Sequence, residues 1–436
     1  MTATANLSAP SVEQLAPNLA ARVKPGDLAM APLVLIGIGI ALLAGAYFTA
    51  GTRFAFSYLV GYMGVLGIVL CALFFTMLQH ITRAGWSVTL RRIAENIAWT
   101  LPVMLLLFIP VIAGSHDLFH HWMEPNPADK VLAGKAAWLN KNAFFIRVGI
   151  YFLVWLALAW FFRSSSLKQD QTGDPAISLR LSRVAAPSIL LFALSITFAA
   201  FDWIMSIDPH WFSTIFGLTY FAGGYMAFLA FTILIAKWLN RKGYLREAIT
   251  VEHYHDLGKL LFAFMVFWTY TNFSQYMLIW YANLPEETRW FADRAEGGWG
   301  AVGTILVFGH FFIPFAFLMS RHVKRNSVAL SAGAIFLLII HCFDMQFLIL
   351  PTAAHDHAAA APAAHGEGVA AALESGLARF PHDLATYAHN VSWADFGCFA
   401  GLLALIGGFT LLNVRRANLV PLRDPRLVES LNFHNI

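Results

Sequence analysis

The sequence predicts an all-α integral membrane protein of about ten transmembrane helices, and three observations carry that prediction. Of the 436 residues, 58% are hydrophobic and only 12% are charged. A soluble domain of this size carries about twice that charge, roughly 25%. Mean hydropathy is +0.61, so the chain has too few polar side chains to cover a globule, and lipid must be its solvent. Finally, the apolar residues arrive in stretches of the right length: a hydrocarbon core about 30 Å thick takes roughly 20 residues per helical span. Such stretches fall at about 29–50, 58–79, 96–113, 144–162, 185–205, 213–236, 257–282, 300–320, 327–350 and 393–413. A transmembrane barrel would show shorter segments of alternating polarity instead.

Residues 1–28 form a polar, proline-punctuated tail without the short basic-then-apolar pattern of a cleavable signal, so the first span is expected to stay with the protein. Nine helices occupy 29–350, an Ala/His-rich loop 351–392, the tenth helix 393–413, and a second tail 414–436. The third and fifth spans are the least regular, because Pro102, Pro110 and Pro187 interrupt or open them.

Lysine and arginine set the expected orientation. Of 29 such residues, twenty fall in the tails and in the segments 80–96, 163–183, 237–246 and 321–325, all on the side of the N-terminus. Seven fall on the other side: Arg53, Lys130, Lys135, Lys141, Arg289, Arg294 and Arg379. The excess predicts both termini in the cytoplasm. The net charge of +4 therefore reports topology rather than binding to nucleic acid. Cys71, Cys342 and Cys398 all lie within predicted spans, scattered too widely for an iron–sulfur cluster and suited to packing.

Two long connections are expected outside. Residues 114–143 are rich in His, Trp and Pro, and 351–392 carry His355, His357, His365, His382 and His389 in an Ala-biased tract with a short amphipathic helix at 369–380. Low-complexity Ala/Pro/His tracts read as spacers rather than metal sites. The chain has no Walker sequence, no dinucleotide-binding glycine loop and no CxxCH for covalent haem.

Ionisable groups inside a membrane are costly, and so they mark candidate functional positions. VEHYHDLGK (251–259) leads into the seventh span and places His255, Asp256 and Lys259 on one helical face, where they could relay protons or form an interfacial collar. Further along lie Thr269, Asn272, Gln275 and Tyr276, one polar stripe able to bridge water, contact a quinone carbonyl or join helices. His341 and Asp344 stand i, i+3 in the ninth span, with Gln346 nearby, and His310 in the eighth span could join them. Asp202 lies within the fifth span, whereas Asp208 before Pro209 suits a helix start. His310 and His341 are also the minimum for bis-histidine haem ligation, but no paired small residues flank them to open a haem cavity.

The strings FDWIMSIDPHWFSTIFGLTYFAGGY, HDLGKLLFAFMVFWTYTNFSQYMLIWYANLPEETRWFADR and GGWGAVGTILVFGHFFIPF resemble the ActF family, membrane subunits of bacterial alternative complex III. The likeness covers most of 30–350 and the last helix. It implies an NrfD-like architecture, with two four-helix bundles plus two further helices, inside a quinol:cytochrome c oxidoreductase of the bacterial inner membrane. It further implies a subunit without redox centres of its own, beside an ActC-like membrane subunit and peripheral Fe–S and haem c subunits, with membrane lipid around it. No cofactor would be bound by this chain alone, although quinol is possible. Carried to matching residues, the resemblance puts Asp202, His255, Asp256, Lys259, His310, His341 and Asp344 in candidate proton-path roles, with Asn272, Gln275 and Tyr276 as candidate quinone or water contacts. The expected function is a proton path and a docking surface in quinol oxidation and electron transport. The alternatives are a subunit that itself holds quinol, and a secondary transporter, whose usual paired repeats are not visible here.

Overall fold

The structure, a computed structural model, describes residues 28, 30–355 and 369–435, with side chains for these residues except 353–355 and 369–377. His357 and His365, and the side chain of His355, lie outside the described part. Among the described residues every regular element is helical. Eight helical stretches are long and apolar enough to cross a membrane, and the protein is an all-α multi-pass membrane protein.

The first stretch, Ala31–Ile81, holds two helices, α1 (Ala31–Ala50) and α2 (Phe54–Ile81), which reverse direction through a single 3-10 turn at Gly51–Arg53. The others are α3 (Val88–Ala98, continued by Leu101–Leu106 and Ile109–Ala113), α4 (Lys141–Thr172), α5 (Pro175–Trp203) and α6 (Phe216–Arg241). A further helix, α7 (Val251–Ala282), has the length to cross but not the hydropathy of the eight, because its polar stripe sits in the middle of it. Then come α8 (Trp299–Leu306, continued after a π-helical turn by Ile313–Met319), α9 (Ser327–His355) and α10 (Trp393–Val414).

α2 is the hub. It is apolar all round and buried along 22 of its 28 residues, as a helix without an amphipathic stripe must be. In lipid there is little hydrophobic drive between helices, so close backbone approach does much of the joining. α6 runs parallel to α2 and meets it at Gly67 and Gly224, where a Cβ on Gly224 would stand 3.1 Å from the Gly67 Cα. Tyr220 donates to the Met63 carbonyl at 2.7 Å beside that crossing. α9 and α10 close the other sides of α2, and α1 lies against α10. α4, α5 and α8 are peripheral and turn Leu153, Leu190 and Phe312 outward.

The structure departs from the sequence reading at three places. α3 begins at Val88 instead of 96, so Arg91, Arg92 and Glu95, expected in or beside a surface loop, are buried within the helix. Their charges are matched by other buried charges, which sequence proximity does not reveal. The segment 114–143 is partly ordered as helices Ser115–Met123 and Lys130–Lys135. The helix expected at 369–380 extends over Val369–Asn390 and packs on α8.

α1 begins and α10 ends on the same face, Pro32 lying beside Gly408. The C-terminal tail folds across that face. Ser430 donates to the Trp86 carbonyl at 2.7 Å and lies 3.2 Å from His253 Nε2. Asn435 donates to the Glu252 carbonyl at 3.3 Å and accepts from Lys259 at 2.9 Å.

Candidate functional site

The structure brings His310, His341 and Asp344 together, and it adds Trp268 of α7 as the residue that joins them. Trp268 stacks almost flat on the His310 imidazole, with centroids 3.5 Å apart and planes 14° apart. Its indole N–H donates to Asp344 Oδ2 at 3.1 Å. His341 lies one turn before Asp344 on α9, its Nδ1 4.0 Å from the same oxygen. On the far side, His341 Nε2 approaches the Gly64 carbonyl of α2 at 3.3 Å. Four side chains from α7, α8 and α9 thus form one assembly against α2. His310 and His341 are fully buried and Asp344 nearly so.

Local backbone makes room for it. His310 sits in the π-helical turn Val307–Phe312, a kind of helix interruption found frequently at functional sites. On α6, a Cβ at Gly223 would come within 3.1 Å of Asp344 Oδ2 and 3.3 Å of the Trp268 ring. Any other residue there would push against the carboxylate. The cluster lies ten residues into α2 at Gly64, about 15 Å from its Phe54 end at 1.5 Å per residue.

The hydrogen bonding is incomplete in an informative way. A backbone carbonyl only accepts, so the His341–Gly64 contact requires the proton on Nε2 and leaves Nδ1 as a lone pair aimed at Asp344. The 4.0 Å separation exceeds a direct hydrogen bond. His341 Nδ1 and both ring nitrogens of His310 are buried without a hydrogen-bond partner. Unpartnered buried nitrogens of this kind are costly, and they call for water or a proton-sharing neighbour. Chemically, the arrangement can hold a proton on Asp344 and exchange it with His341 Nδ1.

The other candidate residues lie elsewhere. Asp202, a proton-path candidate in the sequence together with His310 and His341, is tied instead to α4 and its preceding turn. It accepts from Arg147 Nε at 2.7 Å and Nη2 at 2.9 Å, from Tyr151 at 2.7 Å and from Trp138 Nε1 at 2.9 Å. With both oxygens so engaged, Asp202 is a structural counter-ion. At the base of α7, Asp256 and Lys259 are ion-paired, and Lys259 is half exposed. His255 is buried there with Nδ1 unpartnered. His255 precedes Trp268 by thirteen residues, about 20 Å along the helix, so this group forms a separate collar. Nearby, Arg325 grips Glu252 through two hydrogen bonds of 2.8 and 2.6 Å and holds its carboxyl down to about 2.

In the polar stripe, Asn272 donates to its own Trp268 carbonyl at 3.1 Å, and Gln275 accepts from Ser213 at 2.8 Å. Tyr276 packs on Trp280 and Phe291. Of the stripe, Gln275 joins α7 to the segment before α6.

Sequence reasoning missed Trp268 as the connector, although it lies one turn before Asn272 on the same helix. It also missed a second polar knot, in which Asp395 accepts from Ser57 at 2.6 Å and from Arg53 at 2.7 Å. Neither a family model nor a curated protein matches the chain.

Proposed function

We propose that this chain is the proton-handling membrane subunit of a bacterial quinol:cytochrome c oxidoreductase, of the alternative complex III kind and related to the NrfD-like subunits. In this reading it has about ten spans and both termini in the cytoplasm of an inner-membrane complex. Electrons travel through partner subunits bearing Fe–S centres and haem c. The observation that carries the reading is the Asp344–His341 pair with its stacked Trp268–His310 neighbour: titratable groups, fully enclosed, 4.0 Å apart and lacking partners on three ring nitrogens. The resemblance of the surrounding strings to the ActF family supplies the setting. A quinol-holding role draws less support, since Gln275 is engaged by Ser213 within the chain.

Asp344→Asn in the assembled complex tests this directly. The substitution keeps size and hydrogen-bonding capacity and removes the titratable proton. Haem content and subunit composition should stay the same, while quinol turnover or the proton-to-electron ratio falls. An assembled variant with wild-type turnover and ratio removes Asp344 from the mechanism.

A further inference from the structure

A cleft opens on the side of the bundle between α1 and the broken α3, away from the proton site. α1 packs on α10 rather than on α3, and α3 is interrupted at Leu107 and Phe108, ahead of Pro110, so the two helices part. The gap measures about 690 Å³, within the range of about 300–1,000 Å³ common to ligand pockets. Ile40, Leu43 and Tyr47 form one wall, and Leu107, Ile109 and Pro110 form the other. Tyr58 of α2 lies between them. Its hydroxyl donates to the Leu107 carbonyl at 2.6 Å and is thereby engaged within the protein.

These walls limit what can fill the cleft. Ile40, Tyr47 and Ile109 are each more than half exposed, so it opens sideways from the bundle. Apolar cavities do not hold ordered water, and beside the spans of a membrane protein the medium is hydrocarbon. From Ile40 to Gly51 is eleven residues, about 17 Å at 1.5 Å per residue. That is close to one leaflet, half of a hydrocarbon core about 30 Å thick. An acyl chain rooted at the Gly51 end therefore runs the length of the cleft without leaving its own leaflet.

The mouth of the cleft is acidic. Thr52 and Asp117 line it at the face opposite the termini. The Asp117 side chain is 62% exposed, with His116 Nδ1 at 3.6 Å, and His116 is shared with Glu124 at 3.1 Å. The neighbouring cation, Arg53, is committed to Asp395 and to the Asn390 carbonyl. Two carboxylates against one imidazole leave the mouth negative. We propose that the cleft is a lipid site, holding one acyl chain of a phospholipid whose headgroup carries a primary amine, with the ammonium against Asp117. An anionic headgroup would meet like charge there and bind less well.

The lipid site requires only the membrane setting, so its failure would leave the Asp344 assignment untouched. The test is native mass spectrometry of the full-length chain, released from micelles holding equal amounts of phosphatidylethanolamine and phosphatidylglycerol. The wild type should retain a single phosphatidylethanolamine in preference to phosphatidylglycerol. Ala44→Phe, which adds a ring at a residue lining the cleft, should lose that molecule. Asp117→Lys should move the ratio toward phosphatidylglycerol by about two- to fivefold, the scale of one exposed ion pair. Because Asp117 is exposed, this variant keeps the test valid if Ala44→Phe misfolds. Equal retention of both lipids by the wild type overturns the inference. So does retention unchanged in Ala44→Phe, a ratio unchanged in Asp117→Lys, or an isoprenoid quinone held in place of the phospholipid.

Discussion

Replacing Asp202 with asparagine separates a structural from a proton-carrying carboxylate. Asp202 is buried and accepts four hydrogen bonds, two from Arg147 and one each from Tyr151 and Trp138. Asparagine retains one acceptor oxygen, but its amide places a donor against donors on the other side. Breaking a buried pair by removing one partner costs about 3–5 kcal/mol, because the remaining charge is left uncompensated. Arg147 is not wholly stranded: it is 12% exposed, keeps a 2.9 Å bond to the Trp138 carbonyl and lies 4.2 Å over the Trp138 ring. The lower end, about 3 kcal/mol, is therefore expected. Equilibrium unfolding in mild detergent should show that loss, while under the proposed function complexes that do assemble keep their proton-to-electron ratio. A variant of wild-type stability, or a stable one with impaired proton movement, would refute the structural assignment.

Acid should loosen the C-terminal tail through His253. Burial lowers this imidazole from 6.5 to about 4, and its Nδ1 already accepts from the Thr250 N–H at 3.2 Å, so the folded protein favours the neutral ring. Its contribution is complete above the unfolded value of 6.5, declines as pH falls toward about 4 and is flat below. The shift amounts to about 3 kcal/mol at most. Proteolytic cutting at Arg423 and Arg426 should accelerate across that window, and a rate independent of pH would count against the linkage. Gly224→Leu should separate α2 from α6 and lower the thermal midpoint markedly, since even its Cβ would meet the Gly67 backbone at 3.1 Å; a midpoint equal to wild type would show that the crossing tolerates bulk. For orientation, a reporter active only in the cytoplasm should work when fused after Arg416 and fail at about Ala360, and the reverse pattern would invert the proposed topology.

Helix positions were legible in the sequence because lipid imposes a length and a composition that few other constraints can mimic. The buried charges were legible only in part, and the reason is physical. Intramembrane His and Asp stand out against an apolar background, so His310, His341 and Asp344 could be singled out one helix at a time. What joins them is an indole, and tryptophan in such a sequence is camouflaged by the other aromatic residues of the span. Position along the chain also misled where charge was plentiful. Asp202 looked like a lone intramembrane acid, yet Arg147, half a hundred residues earlier, reaches it directly. Arg91 and Arg92 looked like loop charges, yet Glu95, Asp170 and Asp424 let α3 carry them inside. The distinction that remains useful is completeness of pairing. A carboxylate whose acceptor positions are filled, as at Asp202, holds helices together. One left with an open neighbour, as at Asp344 beside His341 Nδ1, is where the proposed proton transfer would take place.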